Sequence, residues 1–341
     1  MKIKWLSVLQ YLFFLGLGVF LVWWSLQQIP PEKWEEFKGS LKTANYWLMI
    51  PVFFILSSSH ILRSMRWKIL MKPMGYNPSF PNVFFAVMIG YLANLAVPRL
   101  GEVLKCTILA RYEKIPADKL IGTILIERAF DVISLAIVFM IAFISQYDVI
   151  GEYAKQLFKD AFEGRGGHFS AGKIAITIIS VVVVALLIKI IFKKLNHLSI
   201  VTAIKKIIRG VWEGLSSIKD LQQKGRFIFY SVAIWGLYIA GTWVGLLATS
   251  GTSHLGLPAA ISALAFASIG MIITPGGIGA YAFFLAKVLE QNGTSFELGF
   301  ANGTLQWFAQ FLIVLIIGFC CLGLLPWYNK NKLNESNTGH L

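Results

Sequence analysis

The chain has 341 residues, 56% of them hydrophobic and 14% charged, with a net charge of +14 and a mean hydropathy of +0.67. Soluble domains carry about 25% charged residues, so composition excludes an ordinary soluble domain and predicts a polytopic membrane protein. Three cysteines in apolar segments and scattered histidines form neither a disulfide framework nor a metal-ligand spacing, so no metal or cofactor is expected.

In chain order, Trp5 to Leu26 is a first span, long enough for a hydrocarbon core of about 30 Å. No small-residue cleavage pattern follows it, so it reads as a retained span and not a removed signal peptide. Pro30-Pro31 and the mixed-charge segment Glu32 to Lys42 make a polar link. A second span, Asn45 to Leu62, runs into Arg63, Arg66, Trp67, Lys68 and Lys72. Arg63 and Arg66 share a helix face; with Trp67 they read as an interfacial anchor or a lipid-headgroup contact. Phe80 to Val97 is apolar, breaks at Pro98, and resumes as Val103 to Ala110. Neither part is a comfortable span, and together they predict a re-entrant hairpin. Leu120 to Ile144 is a full span that carries Glu127, Arg128 and Asp131.

After the polar loop Ser145 to Gly172, Ile174 to Phe192 is a fourth span. In the basic stretch that follows, Ile200, Ile204, Ile207, Ile208, Val211 and Leu215 recur at helical spacing, predicting an amphipathic helix on the membrane surface. Phe227 to Thr249 is a fifth span, with a small-residue packing face at Gly241-x-x-x-Gly245. Ala259 to Thr274 breaks at Pro275-Gly276-Gly277-Ile278-Gly279 and resumes as Ala280 to Leu289, a second broken hairpin. Thr304 to Leu325, ended by Pro326, is the sixth span. The expected fold is an all-α polytopic membrane protein. It has six full transmembrane helices plus two oppositely oriented re-entrant hairpins in an inverted repeat. One domain covers 1–328, with halves at about 5–145 and 174–326. The segment 329–341 reads as a disordered polar tail.

Lys and Arg concentrate after the second span, between Arg111 and Lys119, and in the amphipathic stretch. The positive-inside rule then puts both termini inside. Basic loops facing anionic lipid explain the net charge, and nucleic acid is not needed as a partner.

Paired Gly/Pro-interrupted segments in two halves point to a transporter's substrate site. At each break a half-helix starts inside the membrane, with orphan N–H groups and a partial positive charge that suit a phosphate. Arg99 and Lys105 add full positive charge, with Arg99 the expected main phosphate contact because its planar fork matches two phosphate oxygens. Gly276, Gly277 and Gly279 allow close backbone approach. Glu127 and Asp131 share a helix face, and with Arg128 they predict an internal ion-pair network or gate whose partners include Arg99, Glu102 and Lys105. No Ser/His/Asp arrangement supports catalysis.

Arg63-x-x-Arg66-Trp67, Asn94-x-x-x-Pro98-Arg99-x-Gly101-Glu102-x-x-Lys105, Glu127-Arg128-x-x-Asp131 and Pro275-Gly276-Gly277-Ile278-Gly279 occur in that order. Together they resemble the lysylphosphatidylglycerol synthase transmembrane-region family, over about residues 5 to 325. The resemblance implies a protein similar to the flippase domain of the bacterial multiple peptide resistance factor, which moves aminoacylated phosphatidylglycerol between leaflets. An acidic residue often follows the Pro-Gly-Gly motif in that family; here the positions are Ala280-Tyr281-Ala282. The expectation is a flippase or scramblase for a phosphate-bearing membrane phospholipid, aminoacylated phosphatidylglycerol or a related anionic or polyprenyl lipid. Its expected location is the bacterial cytoplasmic (inner) membrane. The expected substrate-binding set is Asn94, Arg99, Gly101, Glu102, Lys105, Gly276, Gly277 and Gly279. The rival expectations are a membrane-embedded lipid-modifying transferase and a non-transporting partner of such an enzyme.

Overall fold

The structure is a computed structural model, and it describes residues 5–97, 100–147, 221 and 223–330. The expected span Ile174 to Phe192, the amphipathic stretch Ile200 to Leu215, and Pro98 with Arg99 lie outside the described residues. So do most of the Ser145–Gly172 loop and the tail beyond Lys330.

The described residues form ten α-helices and no strand. They are α1 (Trp5–Gln27), α2 (Trp34–Lys42), α3 (Met49–Met71), α4 (Phe80–Ala96), α5 (Leu100–Glu113) and α6 (Ala117–Ser145), then α7 (Lys224–Leu246), α8 (Leu257–Ile273), α9 (Ala280–Gln291) and α10 (Phe296–Tyr328). Among the described residues, three stretches are long and apolar enough to cross a membrane: Tyr46–Met74, Lys224–Leu246 and Phe296–Tyr328.

Several boundaries differ from expectation, each for a local reason. With neither Gly nor Pro between Val52 and Lys72, α3 continues through the basic cluster to Met71 and ends where Gly75 takes φ +84°. This carries Arg63 and Arg66 along a helix flank instead of leaving them at a helix end. Pro326 sits in the last turn of α10, and the helix passes it as far as Tyr328. Asn329 is not the start of a free tail. It is fully buried and exchanges amide hydrogen bonds with Asn82, 2.7 and 2.9 Å long.

Two pairs of helices share one construction. α4 and α8 each have 17 residues and a proline in the first turn, Pro81 and Pro258. Each ends on an extended residue directly before a proline: Val97 (φ −141°, ψ 114°) and Thr274 (φ −115°, ψ 149°). Steric clash with the proline ring pushes the preceding residue out of the helical region, so the sequence itself sets both stops. At 1.5 Å per residue such a helix is about 25 Å long, short of a hydrocarbon core of about 30 Å. The chain then turns back, and α5 packs against α4 as α9 packs against α8.

Association of apolar helices depends on close packing more than on hydrophobic transfer, so small residues mark the contacts. A Cβ on Gly90 would lie 2.8 Å from the Lys105 side chain, and a Cβ on Gly101 would run into the Gly90 carbonyl oxygen. Gly270 meets the Ala280 backbone in the same manner at 2.6 Å. Gly299 and Gly303 of α10 lie against Ala286 and Ala282 of α9, a second small-residue seam. The Gly241/Gly245 face is also used: Gly241 meets Leu56 of α3 and Gly245 meets Gln306 of α10.

The tight α4–α5 crossing generates a test. Gly101→Ala should overpack it and cost about 1–3 kcal/mol, while Gly122→Ala, in open space on α6, should be neutral or slightly stabilising. Thermal melting in detergent reads both. Equal melting temperatures for the two variants would contradict the crossing.

Candidate functional site

The charged residues that the sequence scatters over three segments converge between α3, α5 and α6. Asp131 of α6 joins two arginines of α3: its Oδ2 accepts from Arg63 at 2.9 Å and its Oδ1 from Arg66 at 2.6 Å. The three-residue spacing of the arginines puts both forks on one flank, so one carboxylate serves both. Glu127, one turn earlier on α6, lies 3.5 Å from each of the two guanidinium groups and 3.5 Å from Lys105 Nζ. The Arg66 side chain is 0% exposed and that of Glu127 3%. Isolated charges at such depth are costly, so mutual pairing is the condition for keeping them.

Aromatic and hydroxyl groups complete the cluster. Lys105 Nζ stands 4.8 Å from the Trp67 ring centroid and 5.6 Å from that of Tyr91, within cation–π range. The Trp67 indole N–H donates to Thr123 Oγ1 at 2.9 Å, which fixes the ring. Arg63 also donates to the Tyr238 hydroxyl and Arg66 to Ser231 Oγ, both on α7. The Nε atoms of both arginines and Nδ1 of His60 are buried without a hydrogen-bond partner. Arg63, Arg66 and Lys105 face two carboxylates, so this interior group carries one positive charge in excess.

These positions correct the sequence reading in several places. Arg63, Arg66 and Trp67 are not interface anchors: Arg66 and Trp67 are fully buried, and the two arginines are the partners of Asp131 and Glu127. Glu102 and Lys105, expected among the partners of the α6 charges, do pair with them, Glu102 with Arg128 at 2.8 Å and Lys105 with Glu127 at 3.5 Å, while Asp131 takes its cations from α3. The Asn94 Oδ1 accepts from the Gly101 N–H at 2.8 Å and caps the start of α5. The Gly101 N–H expected to serve a phosphate is therefore already engaged.

The glycine loop is also packed. Gly276, Gly277 and Gly279 take φ of +62°, +75° and +70°, a region open to glycine at little steric cost. The Gly276 carbonyl accepts from the Trp307 indole at 2.7 Å, and a Cβ on Gly279 would lie 2.6 Å from the Gly18 carbonyl oxygen of α1. A Cβ on Gly276 would lie 3.4 Å from Leu95 of α4, so the turn of the second helix pair meets the end of the first. The loop joins α1, α4 and α10.

Sequence reading took His60 for an interfacial residue and missed Tyr91, Thr123, Ser231 and Tyr238. The His60-x-x-Arg63-x-x-Arg66 ridge was the available signal for His60; nothing local marks the others. It also missed an uncharged network in the second half. There Asn302 donates to the Gly245 carbonyl and Thr249 Oγ1, both at 2.9 Å, and its Oδ1 accepts from Gln306 at 2.7 Å. Among the described residues no group of three or more His, Cys, Asp and Glu is placed to hold a metal ion.

The family model described as the lysylphosphatidylglycerol synthase TM region matches residues 8–329. The UPF0104 membrane protein MJ1595 of Methanocaldococcus jannaschii is 25% identical over 244 residues, covering 68% of this chain and 70% of that protein. No solved structure matches. With its motifs, its apolar helices and a match over nearly its whole length, the chain is an integral membrane protein that belongs to the lysylphosphatidylglycerol synthase transmembrane-region family.

Proposed function

We propose that the protein moves a phosphate-bearing lipid between membrane leaflets, as a flippase or scramblase. The observation that carries this reading is the interior cluster with its excess positive charge, set between α3, α5 and α6 of a membrane protein. Charges at a helix centre cost roughly 2.5–3.5 kcal/mol each on insertion scales, and ionisable groups kept there commonly mark a substrate path. Two arginines and a lysine suit a phosphate ester, and the short broken helices α4–α5 and α8–α9 resemble the interrupted segments that frame transporter sites.

In this reading α4–α5 and α8–α9 are re-entrant hairpins entering from opposite faces. Six full spans complete the layout, both termini are cytoplasmic, and the cytoplasmic membrane of a bacterium is the setting. Cysteines replacing Lys119 and Glu290 should then label from opposite sides of the membrane. Labelling of both from one side would end this layout.

The function is tested with purified protein in liposomes that carry a fluorescent phosphatidylglycerol in one leaflet. Redistribution without chemical change is the expected result, and Lys105→Ala should slow it at least tenfold, the loss of one charge-assisted contact of about 1.5–3 kcal/mol. Lipid that stays in its leaflet while a new product appears by mass spectrometry would favour a lipid-modifying transferase. Neither change would favour a partner of a separate enzyme.

A further inference from the structure

Two ion pairs cross the seam between α5 and α6, and their burial is opposite. The inner pair, Lys105 with Glu127, has side chains 6% and 3% exposed. The outer pair, Arg128 with Glu102, has side chains 53% and 30% exposed. The polarity is reversed between the pairs: α5 supplies the cation inside and the anion outside. Glu127 and Arg128 are consecutive, and Glu102 and Lys105 are one turn apart, so the two pairs are neighbouring rungs.

The surroundings of the outer rung are apolar. Ile121, Leu125 and Val132 are exposed at helical spacing on the same side of α6 as Arg128, and Leu100 and Val103 are exposed on α5. Arg128 is not near a helix end, where a long side chain reaches the headgroup layer. It lies about 17 Å along α6 at 1.5 Å per residue. An ion pair in the middle of an apolar outer face is costly for a membrane protein. As a stability device it is poorly placed, since covering it as the inner rung is covered would serve better.

We propose that this seam is the lateral entrance of the site. A lipid's anionic phosphate comes in from the membrane between α5 and α6 and displaces Glu102 from Arg128. It is then passed to Lys105 and the two arginines behind it. The inference rests on the lipid-transport reading and adds to it a route, a first contact and a displaceable counterion. The Arg128 guanidinium offers phosphate the same paired donors it offers a carboxylate. Glu102 keeps it neutral when no lipid is bound. The acyl chains remain outside against Leu100, Val103, Ile121, Leu125 and Val132, so only the headgroup enters.

The test is retention of phosphatidylglycerol by the full chain in phosphatidylcholine nanodiscs that contain phosphatidylglycerol as a minor component, counted by native mass spectrometry. Glu102→Gln should raise retention several-fold over the wild type, because Arg128 loses its competitor. Arg128→Gln should lower it by roughly fivefold to tenfold, and the double variant should match Arg128→Gln. The gain in Glu102→Gln cannot come from misfolding, so it guards the experiment against a merely unstable Arg128 variant. A fall in retention with Glu102→Gln, or unchanged retention with Arg128→Gln, would overturn the entrance. Excess inorganic phosphate should not release the bound lipid. Release by phosphate alone would assign the outer rung to free phosphate and overturn it too. The liposome assay decides separately on transport: a wild type that retains phosphatidylglycerol through Arg128 but moves no lipid would refute transport and leave the lipid contact standing.

Discussion

One carboxylate, Asp131, accepts from two arginines three residues apart on α3, and the chemistry of the first half depends on that arrangement. The arginines cannot leave the interior without rotating α3, and they cannot stay there without an anion. Asp131 therefore fixes the rotation of α3 against α6. Glu127 extends the pairing to Lys105, which ties α5 into the same group. Trp67 lies beneath the Lys105 ammonium and is held by Thr123, so the aromatic floor is set by α3 and α6 together.

The backbone is built twice, and the chemistry is placed once. α4 and α8 have equal length, matching prolines and matching extended ends, and each is followed by a helix that crosses it at a glycine. Yet Phe227 to Ala286 contains no charge. The second pair of helices is held by small-residue contacts and by neutral groups around Asn302, while the first is held by ion pairs as well. Neutral networks of this kind are satisfied locally and have no counterion to exchange. Paired charges, as between α5 and α6, do.

The sequence made the helices legible because apolar runs and prolines act locally. The breaks before Pro98 and Pro275 follow from sterics within two residues, and both appear as read. The charged residues were legible as special but not as partners. Arg63 looked like an anchor because a basic cluster after an apolar run resembles a helix end; an uninterrupted α3 overrides that pattern. Glu102 and Lys105 were legible as partners of the α6 charges, but the two arginines that hold Asp131 come from α3, which no local pattern brings near. Asn94 and the Gly276–Gly279 turn were noticed for their residue types, and their use as a helix cap and a packing joint depends on contacts that no local pattern carries. Tyr91, Tyr238 and Ser231 reach the cluster from α4 and α7, which only tertiary packing brings near.

Asp131 and Arg66 act as one buried unit. A double-mutant cycle with Asp131→Asn, Arg66→Gln and the combined variant, read as unfolding free energy in detergent, tests it directly. Removing one partner of a buried pair typically costs about 3–5 kcal/mol, and contacting residues show coupling of about 0.5–3 kcal/mol. Each single variant should be strongly destabilised, and the double variant should lose less than their sum. Additive losses, or single variants that melt like the wild type, would contradict it.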